Sequence, residues 1–313
     1  MKVMMTTAAG EASAVFAPAT VPQPVPLPTE VGVRVHAAGV NPVDWKIRAG
    51  VFPPGALGPH PFVQGWDVAG VVDAGPRVTR FQPGDEVLGL LWFPRRAGAY
   101  GEYVTAPARQ FVRKPEAMTM VEAAALPMAG LTAWQTLVDV AGIGAGDRVL
   151  ITAAAGGVGH LAAQIARARG AIVTGTARTA KHAFLADVGV DEAIDYTLVD
   201  VGRTVRDQDV VLDLLGGDTT IELLSCLRPG GLLIQPIGVV SPQVAARAAD
   251  LGVRVTPFLV EPDHAGLAEL TALVQDGALR VHVEHVFPLA DVAKAHEVGE
   301  TNRTLGKIVL SVV

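Results

Sequence analysis

Along the chain, Val31, Val33 and Val35 alternate with Gly32, Arg34 and His36. This period of two predicts a half-buried β-strand. Two further strands are predicted at Phe62–Val72 and Asp85–Leu91, punctuated by Gly/Pro turns. Ahead of them, Pro18–Pro28 holds five prolines in eleven residues. Fixed φ angles and missing donors make that segment an extended connector. Residues 1–120 therefore read as β-rich and rich in Gly and Pro.

The pattern changes near Met118. Residues 119–140 predict a helix, with Thr119 as its cap and Glu122 at the third helical position. From Arg148, short apolar runs alternate with helical stretches. The predicted elements are a strand at Arg148–Ala153, a helix ending at Gly170, a strand at Ala171–Ala177 and a helix ending at Gly189. Runs at 192–196, 209–216 and 230–238 follow, with a helix around Ile221–Leu227. Such alternation predicts a parallel, doubly wound sheet. The tail predicts a helix at His264–Asp276, a strand at Leu279–Val286, a helix at Leu289–Glu300 and a last strand at Lys307–Val313.

Composition narrows the class. With 313 residues, 50% hydrophobic and 18% charged, the chain has enough apolar material for about two domains. Its 25 Lys and Arg against 31 Asp and Glu are spread along the chain, which argues against nucleic-acid binding. No run of about eighteen uncharged apolar residues predicts a membrane span. The first residues lack the apolar core of a signal peptide, so a cytoplasmic protein is expected. The single cysteine, Cys226, excludes a disulfide framework and a Cys-rich zinc module.

The strongest local signal lies at Ala154-Ala155-Gly156-Gly157-Val158-Gly159, between a predicted strand and a predicted helix. It is a dinucleotide fingerprint with Ala at the first Gly position. Gly156 would let the backbone approach a pyrophosphate, and Gly159 would let the helix pack closely. The helix N-terminus offers unpaired N–H groups and positive partial charge to phosphates. The end of the next strand selects the cofactor. An NAD site places an acid there for the ribose hydroxyls. Here the chain reads Thr176-Ala177-Arg178-Thr179-Ala180-Lys181, with two cations, two hydroxyls and no acid. That chemistry suits a 2′-phosphate, so NADP(H) is expected. The plainer alternative is that Arg178 and Lys181 are surface charges, but cations are disfavoured at a helix start.

Several motifs in order then resemble one family over the whole chain. They are VNPVDWKIRAG (40–50), GWDVAGVV (65–72), AGAYGEYV (97–104), ALPMAGLTAWQTL (125–137), the glycine segment at 146–171, GVDEAIDY (189–196) and LGKIVL (305–310). The chain resembles the zinc-independent medium-chain dehydrogenases/reductases, in the quinone oxidoreductase (zeta-crystallin-like) branch. The resemblance implies an α/β protein with a GroES-like β-barrel substrate domain (1–120 with 261–313) and a Rossmann doubly wound parallel-sheet domain that binds NADP (121–260). It also implies a homodimer, joined at the edge segment Arg254–Val260.

The resemblance implies site residues too. Thr132 would sit near the nicotinamide carboxamide, and Asn41 near the nicotinamide ribose and the substrate. Ala155, Gly156, Gly157 and Val158 form the phosphate turn. Lys181 and Tyr196 would hold the 2′-phosphate, with Arg178 and Thr176 added from their chemistry. Gly216, Ile237 and Gly238 would line the cofactor, Phe258 and Val260 belong to a carboxamide loop, and Asn302 and Arg303 lie at a further cofactor contact. Trp45 and Trp134 are expected in the substrate pocket. No metal site is expected: zinc-using relatives read Gly-His-Glu where this chain reads Gly65-Trp66-Asp67, and tryptophan cannot ligate zinc.

Lys46 stands where many relatives carry Tyr. It could stabilise a developing enolate, but the favoured reading is a solvent-facing residue on a short helix after Pro42. Asp44 reads as a helix cap in preference to an active-site group. The loop 53–61 either shapes the substrate pocket or is a surface connection. The expected function is an NADPH-dependent, metal-free hydride transfer to a quinone or an α,β-unsaturated carbonyl. Two other readings stay open: a tailoring enoyl reductase or cyclase with a dedicated substrate, and a non-catalytic NADPH-binding regulatory protein. Substrate, proton donor and stereochemistry are not written in the sequence.

Overall fold

The computed structural model describes residues 1–51, 57–74, 79–236 and 239–313. The chain forms two compact units. One comprises Met1–Leu131, Glu261–Gly277 and Val281–Val313; the other comprises Thr132–Val260 and Ala278–Arg280. The division falls after Leu131, beyond the expected position at 120, because the helix that follows Thr119 packs on the strands before it.

The first unit opens with β1 (Lys2–Thr6), a short helix α1 (Ala12–Val15) and β2 (Phe16–Thr20). It continues through β3 (Glu30–Val40), α2 (Pro42–Arg48), β4 (Phe62–Val63), β5 (Asp67–Ala74), β6 (Glu86–Leu90), β7 (Tyr103–Pro107) and β8 (Phe111–Arg113). The stretch Phe62–Val72, expected as one strand, breaks at Gly65, whose φ of 91° no ordinary strand residue adopts. Helices α3 (Met120–Ala125) and α4 (Pro127–Trp134) follow, and a π-helical turn continues over Gln135–Val140. Thr119 and Glu122 form the expected capping box of α3. The single helix expected over 119–140 is interrupted at Pro127, which has no N–H to donate.

The second unit contains β9 (Arg148–Ile151), α5 (Gly159–Ala168), β10 (Ile172–Thr176), α6 (His182–Asp187), β11 (Glu192–Ile194) and α7 (Val201–Thr204). It closes with β12 (Gln208–Leu212), α8 (Thr219–Leu223), β13 (Leu227–Gln235), α9 (Pro242–Leu251) and β14 (Arg254–Pro257). Its sheet runs β11-β10-β9-β12-β13-β14, and every pair is parallel. The doubly wound sheet is therefore present. Its winding reverses between β9 and β12, and ligands of such sheets bind beyond the strand ends at that point.

The tail returns to the first unit as α10 (His264–Gln275), β15 (Val283–Pro288), α11 (Val292–Glu300) and β16 (Lys307–Ser311). β16 pairs with β3, giving a main sheet of order β15-β16-β3-β5-β6-β8 with β7 also on β3. The strand expected at Leu279–Val286 begins later, at Val283, because the Arg280 N–H is taken by the Gln164 side chain at 2.9 Å. Val31, Val33 and Val35 are fully buried in the first core and Arg34 is exposed, but Gly32 is buried and His36 half-buried, so β3 is more deeply covered than the alternation predicts.

Candidate functional site

In the second unit, the chain leaves β9 and turns through Thr152–Val158 into α5. A Cβ on Gly159 would lie 2.5 Å from the Ala153 carbonyl oxygen and 2.6 Å from the Ala154 Cα. Only glycine lets the helix start that close to the turn. Gly156 is different, since the nearest atom to its would-be Cβ is the Ala153 oxygen at 3.2 Å. A side chain there would be tight but not excluded as it is at Gly159, and glycine leaves no Cβ over the backbone. Ala155 is buried, while Gly156, Gly157 and Val158 are half-buried at the positive end of a ten-residue helix.

The turn is tied to β10. Ala153 N donates to Thr176 Oγ1 at 3.2 Å, and Ala154 N donates to the Thr176 carbonyl at 3.0 Å. Thr176 is thus buried and braces the glycine turn, a place its chemistry alone did not indicate. Arg178 follows β10 in the open, and its Nε donates to the Tyr196 hydroxyl at 3.3 Å. That contact raises the guanidinium pKa further. Lys181 ends the 3-10 turn Thr179–Lys181, its N–H bonded to the Arg178 carbonyl at 2.8 Å. The structure therefore brings the expected Arg178 and Tyr196 into contact, with Lys181 one short turn away.

The remaining expected positions lie on several elements. Gly216 lies in the loop after β12, where the buried Asp213 shapes the chain. Asp213 Oδ1 accepts from Leu215 N and Gly216 N, both at 3.1 Å, and Oδ2 accepts from Thr220 Oγ1 at 2.7 Å. Asp213 went unread in the sequence, although an acid closing a β-branched run was a usable signal. Phe258 N donates to the Gln235 carbonyl at 3.0 Å, and Val260 is buried just beyond. Thr132 and Trp134 are buried on α4. Ile237 and Gly238 lie outside the described residues, as do positions 53–56 of the 53–61 loop.

In the first unit, Asn41 ends β3 and starts α2. Strand register surrounds it: Asp67 on β5 sits opposite Gly39, and Ile308 on β16 sits opposite Val40. Gly39 makes the approach possible, since a Cβ there would lie 2.9 Å from an Asp67 carboxylate oxygen. Asn41 Nδ2 donates to Asp67 Oδ2 at 2.9 Å, while Lys307 Nζ donates to Asn41 Oδ1 at 2.5 Å and to the Val40 carbonyl at 2.9 Å. Both ends of the amide are held, which fixes its orientation. Asn41 N donates to Asp44 Oδ2 at 2.7 Å, so Asp44 is the third-position half of a capping box in which Asn41 is the cap of α2. Met128 N donates to Asp67 Oδ1 at 2.9 Å.

These groups are out of water. Burial pushes the Asp44 carboxyl up to about 7 and the Asp67 carboxyl up to about 6. Burial also pulls the Lys307 ammonium down, against the attraction of both carboxylates. The cluster can therefore hold or release a proton near neutral pH. Lys307 belonged to a quoted motif, yet its role was not legible. Lys46, on the same α2, is half-buried, and Trp45 packs against Gly299 of α11. Asn302 and Arg303 are exposed after α11, with Asn302 in the left-handed region at φ 53°.

Two family descriptions match this chain: an alcohol dehydrogenase GroES-like domain over residues 27–116, and a zinc-binding dehydrogenase over residues 188–310. A 2-haloacrylate reductase from Burkholderia sp. is 35% identical over 309 residues, covering 91% of this chain and 91% of that protein. The chain belongs to the medium-chain dehydrogenases/reductases. Within that family it is quinone oxidoreductase-like. The structure of the quinone oxidoreductase from Coxiella burnetii matches at a TM-score of 0.94 with 34% identity, covering 100% of this chain and 99% of that one. The Escherichia coli quinone oxidoreductase complexed with NADPH matches at 0.88 with 28% identity, covering 100% of both chains. The first unit thus contains the GroES-like domain, and the second is the Rossmann-like sheet.

The name of the second matched description raises zinc, and the residues of this family member do not fit it. Trp66 is buried, and its Nε1 donates to the Arg95 carbonyl at 2.7 Å. Each Asp67 oxygen already accepts a hydrogen bond, from Asn41 Nδ2 and Met128 N. The Cys226 thiol is buried in the second unit and pushed up to about 11 by that burial. Among the described residues no three His, Cys, Asp or Glu side chains come together as a metal site. No described helix is long and apolar enough to cross a membrane.

Proposed function

We propose that this chain is an NADPH-dependent, metal-independent oxidoreductase that transfers a hydride to a quinone or to the β-carbon of an α,β-unsaturated carbonyl. The cofactor choice rests on one observation: an arginine meets a tyrosine hydroxyl at 3.3 Å beyond the end of β10, where an NAD site would carry an acid. The relative complexed with NADPH supports the same choice. Ala155, Gly156, Gly157 and Val158 would take the pyrophosphate, and Arg178, Lys181 and Tyr196 the 2′-phosphate. Thr132, Gly216, Ile237, Gly238, Phe258 and Val260 would border the nicotinamide half, with Asn302 and Arg303 as outer contacts.

When bound, the nicotinamide supplies the hydride. Without a Lewis acid to polarise a carbonyl, a conjugated acceptor is the easier substrate, because its own π-system spreads the developing charge. A 2-haloacrylate reductase among the relatives supports that acceptor class. Asn41, locked at both amide ends, would orient the reacting parts, and Lys46 would stabilise negative charge on the acceptor oxygen. Trp45 and Trp134 would border the substrate. A cytoplasmic homodimer, joined at the sheet-edge strand β14, completes the proposal.

The test is an NADPH-oxidation screen against quinones and enals, with NADH in parallel and metal analysis of the purified protein. Faster turnover with NADPH on conjugated acceptors is expected. Equal use of both cofactors would remove the 2′-phosphate reading, and one stoichiometric zinc would remove the metal-independent one.

A further inference from the structure

The contact between Arg178 and Tyr196 needs an explanation, because the two residues lie in separate loops. β10 and β11 are parallel neighbours, with Thr176 opposite Ile194, so their chains emerge side by side and then diverge. A single carboxylate joins them. Asp195 Oδ2 accepts from Thr179 N at 2.6 Å and from Thr179 Oγ1 at 2.5 Å. Its Oδ1 accepts from Thr197 N at 2.9 Å and from Thr197 Oγ1 at 2.6 Å. Thr179 directly follows Arg178, and Thr197 directly follows Tyr196.

We infer that Asp195 is a positioning residue for recognition of the cofactor's 2′-phosphate, clipping together the two loops that present Arg178 and Tyr196. The inference rests on the NADPH reading above and deepens it. A carboxylate offers about four acceptor sites, and four donors fill them. Asp195 is therefore spent on protein donors and leaves no acceptor for ribose hydroxyls, so an acid at this place does not select NAD. The same donors hold the carboxyl well below the usual carboxylate range, which keeps the clip ionised across physiological pH.

The experiment compares wild type with Asp195→Ala using NADPH, NADH and the probe adenosine 2′,5′-bisphosphate. Asp195→Ala should raise the KM for NADPH about tenfold and that for NADH less than about twofold, the loss falling on charge-assisted contacts to the phosphate. The kcat at saturating NADPH should hold, and the inhibition constant of the bisphosphate should rise in step with the KM. Asp195→Asn, which keeps one acceptor oxygen, should fall between. If Asp195→Ala does not fold, Thr197→Val, which removes one donor and leaves the carboxylate, reads the same ratio in the same direction. Parallel rises for both cofactors would show a merely structural residue and overturn the inference. An unchanged NADPH preference, or a stronger one, would overturn it as well. These outcomes are separable from failure of the parent reading, which would show as no NADPH preference in wild type.

Discussion

Carboxylates in the two units meet opposite fates. Asp44 and Asp67 of the first unit have no solvent exposure, and burial pushes them up to about 7 and about 6. Asp195 of the second unit accepts four hydrogen bonds while still reaching water, and it is held well below the ordinary range. Asp67 also accepts from two donors and lies beside an ammonium, yet it moves the other way. Desolvation outweighs hydrogen bonding when the group is dry, and the order reverses when it is wet. The first unit thus stores a proton near neutrality, and the second displays a permanent charge.

The sharpest way to break this comparison is Lys307→Met. Removing the ammonium leaves two buried carboxyls without a cation and should destabilise the first unit by about 3–5 kcal/mol. The sign with pH follows from linkage. A carboxyl raised above its unfolded value contributes its stability at low pH and loses it as pH rises through the folded value. For Asp67 and Asp44 that window runs from the ordinary carboxyl value of 3.8 up to about 6 and about 7. Without Lys307 both carboxyls rise further, so the variant's deficit should be larger at pH 8 than at pH 5 in urea unfolding. An equal deficit at both pH values would mean that the carboxyls do not sense the ammonium.

His296 of the first unit tests the same dryness with the opposite sign. It has no solvent exposure, its Nε2 meets the Tyr100 hydroxyl at 3.3 Å, and its Nδ1 has no partner among the described residues. Burial, helped by the nearby Arg48 charge, pulls it from 6.5 down to about 3. Between those values the unfolded chain binds a proton that the folded chain refuses, so acid destabilises the fold. His296→Phe removes that effect. Relative to wild type, the variant should gain up to about 1.4 kcal/mol for each pH unit lowered within this window. Denaturation at pH 6 and pH 4.5 reads the difference, and a constant offset would show that the ring charges without penalty.

What the sequence made legible was periodic or local. The valine alternation gave β3, Thr119 and Glu122 gave the α3 cap, and the glycine turn stood between its strand and its helix. Arg178 was found because it follows a strand end, whereas Tyr196 was found only through the family resemblance. The rest depends on register between distant segments. Lys307 reaches Asn41 only because β16 and β5 flank β3, and nothing near Lys307 in the chain announces that. Thr176 and Asp195 were visible as residue types, but the direction of a side chain at a strand end is decided by its neighbours. Strand β15 began late because one side chain, Gln164, took a backbone donor that periodicity assigned to a sheet.

The smallest expected effect concerns where the second unit keeps its strain. Ala153 opens the glycine turn at φ 46°, a left-handed conformation in which its Cβ crowds the backbone. Its neighbours fix it there: Ala153 N is bonded to Thr176 Oγ1 at 3.2 Å, and its carbonyl accepts from Gly156 N at 2.9 Å. The tension here is conformational, whereas in the first unit it is dielectric. Ala153→Gly removes the crowding and keeps both hydrogen bonds. Relief of about 1–2 kcal/mol is offset by the greater freedom of glycine in the unfolded chain, about 0.4–1 kcal/mol. A net gain of between about 0 and 1.6 kcal/mol should therefore appear in urea unfolding of the variant. Its pH dependence should match wild type, because no titrating group is touched. A pH-dependent change would mean that the turn and a charged group are coupled, and the contrast between the two units would then need redrawing.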